Sequence, residues 1–215
     1  GVAIVCADFN DPDVLELMNS DLPVVTIDYV HHNCTAVSSN NIQGMEDLVK
    51  YIYGQGHRKI AYIHGQQASY VTKDRLSSFY RTVDELGLKI PDQYLRTADY
   101  LETREAAKQT KELLNLEDPP TCIIYPDDTS LIGGRNVIIE MGLRIPRDIS
   151  IAGYDGTRMS QLLHPQLTTI RQDTELIGSE AAKRLIGSIE KPRTTLVERV
   201  VIEGILVAGK SVGRI

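Results

Sequence analysis

Short apolar runs rich in β-branched residues alternate along this chain with longer segments in which apolar residues recur every three or four positions. Runs of the first kind are typical of strands that are buried on both faces of a parallel sheet. They predict strands over 2–6, 24–27, 59–63, 93–97, 122–125, 150–153, 168–171 and 199–202. The longer segments predict amphipathic helices over 42–53, 74–86, 103–114, 130–141 and 175–189. This alternation of strands and helices indicates a doubly wound α/β architecture.

The composition is that of an ordinary globular protein, with 42% hydrophobic and 24% charged residues among 215. The formal net charge is −6 and no predicted helix carries a cluster of Lys and Arg, which argues against a nucleic-acid-binding surface in these residues. The cysteines show neither a disulfide pattern nor a metal spacing. Cys6 and Cys122 lie in apolar strand-like runs, where a thiol packs as a small hydrophobic group. No apolar run approaches the roughly 20 residues of a membrane span.

The stretch 145–155 carries the densest local information in the chain. Residues 149–151 predict a short buried strand, and Gly153 permits a tight turn where that strand ends. Tyr154 and Asp155 are then placed together at the carboxyl edge of a sheet, where open α/β sheets bind their ligands. The alternative is that Asp155 caps a helix and Tyr154 only packs.

Several motifs in one order support the first interpretation. They are 56–65 (Gly-His-Arg-Lys-Ile-Ala-Tyr-Ile-His-Gly), Asp127-Asp128, Gly142-Leu143, the stretch 145–155 and 167–172 (Leu-Thr-Thr-Ile-Arg-Gln). In this order and spacing the chain resembles, over its whole length, the effector-binding core of the LacI/GalR family of bacterial transcriptional regulators.

The resemblance implies a specific fold and domain organisation. The expected fold has two doubly wound parallel-sheet lobes joined by three crossovers, of the periplasmic-binding-protein-like type I, with the N-terminal lobe incomplete. Residues 1–57 and 172–197 would form the N-terminal lobe, and residues 58–171 and 198–215 the C-terminal lobe. The chain begins inside a predicted strand without a methionine. The resemblance implies that the first β-α-β-α units of the core and a DNA-binding helix-turn-helix precede it.

The resemblance also implies a ligand site. Arg75 matches the arginine of an Arg-x-x-Gly-aromatic motif that grips the effector, although Ser78 stands in place of the usual glycine. Asp155 matches a carboxylate that accepts hydrogen bonds from ligand hydroxyls. Asp127 stands where many relatives carry asparagine. The alternatives are a surface salt bridge for Arg75 and N-capping of the following helix for Asp127 or Asp128.

Two further positions, Asp28 and Tyr100, match effector contacts of the family. Tyr70 and Val71 precede Arg75 in a loop that we expect to line the cleft, and Gln172, just after a crossover, is a further expected contact. Asp28 follows the second predicted strand, and Tyr100 falls where relatives carry an aromatic ring that stacks on a sugar face. A half-exposed loop tyrosine is the alternative for Tyr100. We interpret His57 as a structural residue at a crossover.

The expected function is therefore that of a cytoplasmic, homodimeric transcriptional regulator. A small molecule, by family resemblance a carbohydrate, would bind between the lobes and alter operator binding by a shift in population. No cofactor and no metal are expected, and no nucleophile elbow or phosphate loop supports an enzyme. A periplasmic sugar-binding protein of a transport system shares the fold and is the alternative, and a sugar-modifying enzyme would require a catalytic dyad.

Overall fold

The structure is a computed structural model that describes residues 1–5, 9–191 and 196–215. Its strands are β1 (Val2–Ile4), β2 (Val24–Ile27), β3 (Thr35–Ser39), β4 (Ile60–His64), β5 (Leu95–Thr97), β6 (Cys122–Ile124), β7 (Ser150–Asp155), β8 (Thr168–Arg171), β9 (Arg199–Ile202) and β10 (Ile205–Val207). Its helices are α1 (Pro12–Met18), α2 (Asn41–Gly54), α3 (Tyr70–Glu85), α4 (Thr103–Leu114), α5 (Asp128–Glu140), α6 (Arg158–Leu162) and α7 (Thr174–Glu190), and a 3-10 turn covers Asp92–Tyr94. Within the described residues, no helix combines the length and the apolar character that a membrane crossing requires.

The chain divides into two compact units. The smaller unit contains Gly1–Asn41 and Asp173–Gly204, and the larger unit contains Ile42–Gln172 and Ile205–Ile215. The chain therefore passes three times from one unit to the other. Residues 42–57 and 172 belong to the larger unit and residues 198–204 to the smaller one, whereas the resemblance assigns them to the other lobe, and the lobe boundaries stay a prediction.

The smaller unit is built on a four-stranded sheet with the order β1-β2-β3-β9, in which every neighbouring pair is parallel. Helix α7 packs on this sheet. It buries Ile177 and Ala181 against Val25 and Val37, which belong to the two central strands.

The larger unit is built on a six-stranded sheet with the order β10-β8-β7-β6-β4-β5. Its pairs are parallel except for β10, which runs antiparallel to β8. Side chains along β4 alternate between the two faces, so that Tyr62 joins one hydrophobic core and Ala61 and Ile63 join the other. Helices α2 and α3 supply the first core, and α4 and α5 supply the second. The predicted doubly wound α/β class is therefore confirmed.

Four short elements escape the sequence patterns: α1, α6, β3 and β10. Strand β3 (Thr-Ala-Val-Ser-Ser) offers only two apolar residues, and α6 has five residues in all, so neither shows a clear period. The first half of the predicted strand 93–97 is the 3-10 turn, and only β5 is extended. Cys6, predicted to be a core residue, lies outside the described residues, whereas Cys122 is fully buried.

Candidate functional site

Asp155 ends β7 at the carboxyl edge of the larger sheet. Its backbone adopts φ +100°, a region that L-residues rarely occupy, and such strain persists only where surrounding contacts impose it. The Asp155 side chain is 30% exposed. The Gln172 Nε2 donates to Asp155 Oδ1 at 2.6 Å, and the Gln172 backbone N–H donates to the Asp155 carbonyl oxygen at 3.1 Å. The structure thus brings two of the predicted residues together and presents a carboxylate at the edge.

Arg75 lies next to Asp155 at this edge and belongs to α3, a helix whose N-terminus is capped by Ser69. Arg75 is only 3% exposed, which excludes the alternative of a surface salt bridge. Its Nη1 donates to the Pro126 carbonyl oxygen at 2.9 Å, and its Nη2 lies 3.9 Å from Asp155 Oδ1. Its Cζ lies 3.4 Å from the centroid of the Tyr154 ring, a close cation–π contact. The guanidinium is therefore a fixed, nearly covered cation next to the exposed carboxylate.

Tyr100 forms a wall of the same edge. Its ring centroid lies 6.0 Å from Arg75 Cζ, and its hydroxyl shares a 2.9 Å hydrogen bond with Thr72 Oγ1. The ring packs on Gly65, where a Cβ would overlap it. Burial raises the pKa of the Tyr100 hydroxyl, so it stays protonated. Tyr100 is half-buried and its ring is held in place.

Asp127 has a different role from the predicted ligand contact. It is buried and caps α5, because its Oδ1 accepts from the Ser130 N–H at 2.8 Å and its Oδ2 from the Ser130 Oγ at 2.7 Å. The Leu101 N–H also donates to Oδ2, at 2.9 Å. Three donors thus occupy this carboxylate, and the capping alternative describes it. We therefore leave Asp127 out of the proposed ligand contacts.

Asp128 is buried as well and binds a different set of donors. Its Oδ1 accepts from the Thr169 Oγ1 at 2.8 Å, and its Oδ2 accepts from the Thr157 N–H at 2.8 Å and the Thr157 Oγ1 at 3.2 Å. Burial raises the pKa of this carboxyl to about 6, although the hydrogen bonds from Thr169 and Thr157 oppose the rise. The sequence identified Asp128 only as one member of a pair that contains a cap.

The remaining predicted contacts are placed as follows. Tyr70 is exposed on the first turn of α3, with Lys73 Nζ 5.2 Å from its ring centroid, and Val71 is partly exposed beside it. Asp28 follows β2 in the smaller unit and adopts φ +59°. Its Oδ1 accepts from the Ser39 N–H at 3.4 Å. Their contacts with an effector stay predictions.

The sequence patterns missed two features of the site. The Pro126 carbonyl that holds Arg75 is a backbone group, which no side-chain pattern reveals. The sequence placed Tyr154 at this edge but not its contact with Arg75, which could have been found because Tyr154 shares a face of β7 with Ala152 and so faces the α2–α3 side. The serine at position 78, where the family motif has glycine, has a defined contact. The buried Ser78 Oγ donates to the Ile42 carbonyl oxygen at 2.6 Å and links α3 to α2.

The described residues contain no group of three or more His, Cys, Asp or Glu side chains that could hold a metal ion. His57, expected to be structural, is buried and bonds Thr121 Oγ1 through Nδ1 at 2.9 Å and the Gly213 carbonyl oxygen through Nε2 at 3.1 Å. Burial lowers the pKa of His57.

Comparisons with known proteins agree with this architecture. Residues 49–212 match the family model of the periplasmic binding protein-like domain. The HTH-type transcriptional repressor PurR of Aliivibrio salmonicida is 31% identical over 193 residues, which cover 88% of this chain and 58% of the relative. The chain thus spans less than two thirds of the length of this relative.

Solved structures show the same likeness. A LacI transcriptional regulator from a Rhodococcus species superimposes with a TM-score of 0.88 at 25% identity, and the match covers 98% of this chain and 77% of that one. A LacI family regulator from Enterococcus faecium, with bound ribose, gives a TM-score of 0.87 at 22% identity over 99% of this chain and 80% of that one. The second likeness concerns the fold alone. The chain belongs to the periplasmic binding protein-like domain family, and within it to the effector-binding cores of LacI/GalR-type regulators.

Proposed function

We propose that this chain senses a neutral carbohydrate at the carboxyl edge of the larger sheet, as the effector-binding core of a cytoplasmic, homodimeric transcriptional repressor. One observation carries the proposal. Asp155 is a partly exposed carboxylate held in a strained conformation beside the buried guanidinium of Arg75, 3.9 Å away. Strain of this kind is concentrated at functional sites.

The polar groups at the edge suit hydroxyls. A carboxylate accepts two or more hydrogen bonds from neighbouring hydroxyls, and the Gln172 amide can both donate and accept. The Tyr100 ring offers an apolar face for the C–H groups of a sugar. An anionic ligand such as a sugar phosphate would be repelled by Asp155. Arg75 cannot compensate for this repulsion, since it is only 3% exposed.

The regulatory step follows from linkage. An effector shifts the equilibrium between two conformations only by its difference in affinity for them, and that difference would alter operator binding by the dimer. The curated relative is a repressor, which favours regulation over a role in transport. Operator binding, dimerisation and the cytoplasmic location concern the whole protein, and we propose them from this relationship.

A thermal-shift screen tests the ligand class. The panel contains ribose, glucose, cellobiose, glucose 6-phosphate, adenine and glutamate. We expect a neutral sugar to raise the melting temperature of the wild type, since a ligand at about 100 times its Kd adds about 2.7 kcal/mol of stability. Asp155→Asn should lose this shift.

Asp148→Asn is the matched control, because Asp148 forms an exposed ion pair with Arg144. It should keep the full shift. The proposal would be contradicted if only glucose 6-phosphate or only adenine stabilised the wild type. It would also be contradicted if Asp155→Asn responded to the sugar as the wild type does.

A further inference from the structure

Asp128 contacts the β7 strand end on both sides of Asp155. On the N-terminal side it packs against Gly153, where a Cβ would overlap Asp128 Oδ1. On the C-terminal side its Oδ2 accepts from the backbone N–H and the Oγ1 of Thr157. Residues two before and two after Asp155 thus meet the same buried carboxylate.

Two hydrogen bonds through Thr169 connect Asp128 with Gly156, the residue between Asp155 and Thr157. The Gly156 N–H donates to Thr169 Oγ1 at 3.2 Å, and that hydroxyl donates to Asp128 Oδ1 at 2.8 Å. Gly156 adopts φ +66°, directly after the φ +100° of Asp155. Glycine adopts positive φ without strain, whereas the φ of Asp155 needs outside contacts to hold it, and Asp128 supplies contacts on both sides of it from the first turn of α5.

We propose that Asp128 is a positioning residue that fixes the turn 155–157 and so aims the Asp155 carboxylate at Gln172 and at the ligand. The ligand part of this statement rests on the proposed function, whereas the turn and the Gln172 contact do not. Asp128 touches no ligand in this scheme.

The groups around Asp128 make its action sensitive to pH. Its described contacts are the Thr157 N–H and hydroxyl, the Thr169 hydroxyl and Ser160. Burial raises the Asp128 pKa, and the like charge of Asp155 adds a smaller rise. A protonated Asp128 carries one O–H, so it must donate to one of the hydroxyls around it, at Thr157, Thr169 or Ser160, instead of accepting from it. The Gly156 N–H can only donate, so its bond to Thr169 Oγ1 keeps its direction while the contacts of Asp128 rearrange near pH 6.

NMR of the 15N-labelled full chain tests the proposal without a ligand. In the wild type, the Gly156 and Thr157 amide shifts should titrate together, with a midpoint of about 6. Asp128→Asn keeps the size and one acceptor oxygen, so these shifts should lose the transition near pH 6. The control Asp148→Asn should titrate like the wild type. Persistence of the titration in Asp128→Asn would overturn the proposal.

The Gln172 side-chain amide reports the aim of Asp155, because its Nε2 donates to Asp155 Oδ1. Asp128→Ala should move this resonance toward its position in Asp155→Asn and increase amide exchange at Thr157 by about tenfold, while Asp128→Asn should restore most of the change. Thr169→Val cuts only the two hydrogen bonds that connect Asp128 with Gly156 and carries the test if Asp128→Ala does not fold. An unmoved Gln172 resonance in both variants would refute positioning. A failed sugar screen would refute the proposed function and leave this result standing.

Discussion

Replacement of Asp155 by alanine and by glycine separates backbone strain from side-chain chemistry. Both variants lose the hydrogen bond from the Gln172 side chain and the side-chain contact with Arg75. Only alanine keeps a Cβ at φ +100°, a conformation that costs about 1–3 kcal/mol. Glycine removes that cost but gains about 0.5–1 kcal/mol of entropy in the unfolded chain. Asp155→Gly should therefore be the more stable of the two, by about 1 kcal/mol, or about 2–4 °C in melting temperature.

Urea denaturation and thermal melting by circular dichroism measure this difference. The control pair is Lys183→Ala and Lys183→Gly in α7. Glycine in a helix interior is about 1 kcal/mol less favourable than alanine, so here the alanine variant should be the more stable of the two. Neither Asp155 variant should respond to a sugar that stabilises the wild type. If Asp155→Ala proved as stable as Asp155→Gly, the strain attributed to this position would be wrong.

Three further outcomes are expected. Gly133→Ala should destabilise the protein by about 1–3 kcal/mol in urea, because its Cβ would overlap the Thr103 carbonyl between α5 and α4, whereas Gly178→Ala in α7, with open space around it, should stabilise by about 1 kcal/mol. The folded-state pKa of Asp128, about 6, exceeds its ordinary 3.8, so the folded state binds more protons between these values. The wild type should lose about 2 kcal/mol relative to Asp128→Asn as pH rises from 4 to 6, and equal slopes would contradict this. Ser78→Ala should cost about 1 kcal/mol of unfolding free energy in urea through its lost hydrogen bond, and no loss would leave Ser78 without that role.

The larger sheet could be predicted because its strands are buried on both faces. Ile60, Ala61, Tyr62 and Ile63 are all fully buried, and such continuous apolar runs stand out from the sequence. Strand β10 pairs antiparallel with β8 at the edge of the sheet. Its three residues are all apolar, but the strand is shorter than the runs of about four to eight residues that predict a buried strand, so it was missed.

The site could be predicted in part, for a related reason. Asp155 and Arg75 stand in recognisable motifs, and the structure places them 3.9 Å apart. The adjacent Asp127 and Asp128 have the same side chain, and the sequence cannot say which one caps α5. The answer depends on Thr157 and Thr169, which are 29 and 41 residues away from Asp128 along the chain.

Three aspartates at one sheet edge thus acquire three roles from the donors around them. Asp127 accepts from the first turn of α5, where the helix dipole also favours a negative charge. Asp128 accepts from Thr157 and Thr169 and is buried. Asp155 combines partial exposure with a side-chain donor, Gln172, that can turn toward a ligand. Charge alone does not distinguish these carboxylates, so exposure decides which of them can meet a sugar hydroxyl, and Asp155 is the one that the fold leaves accessible.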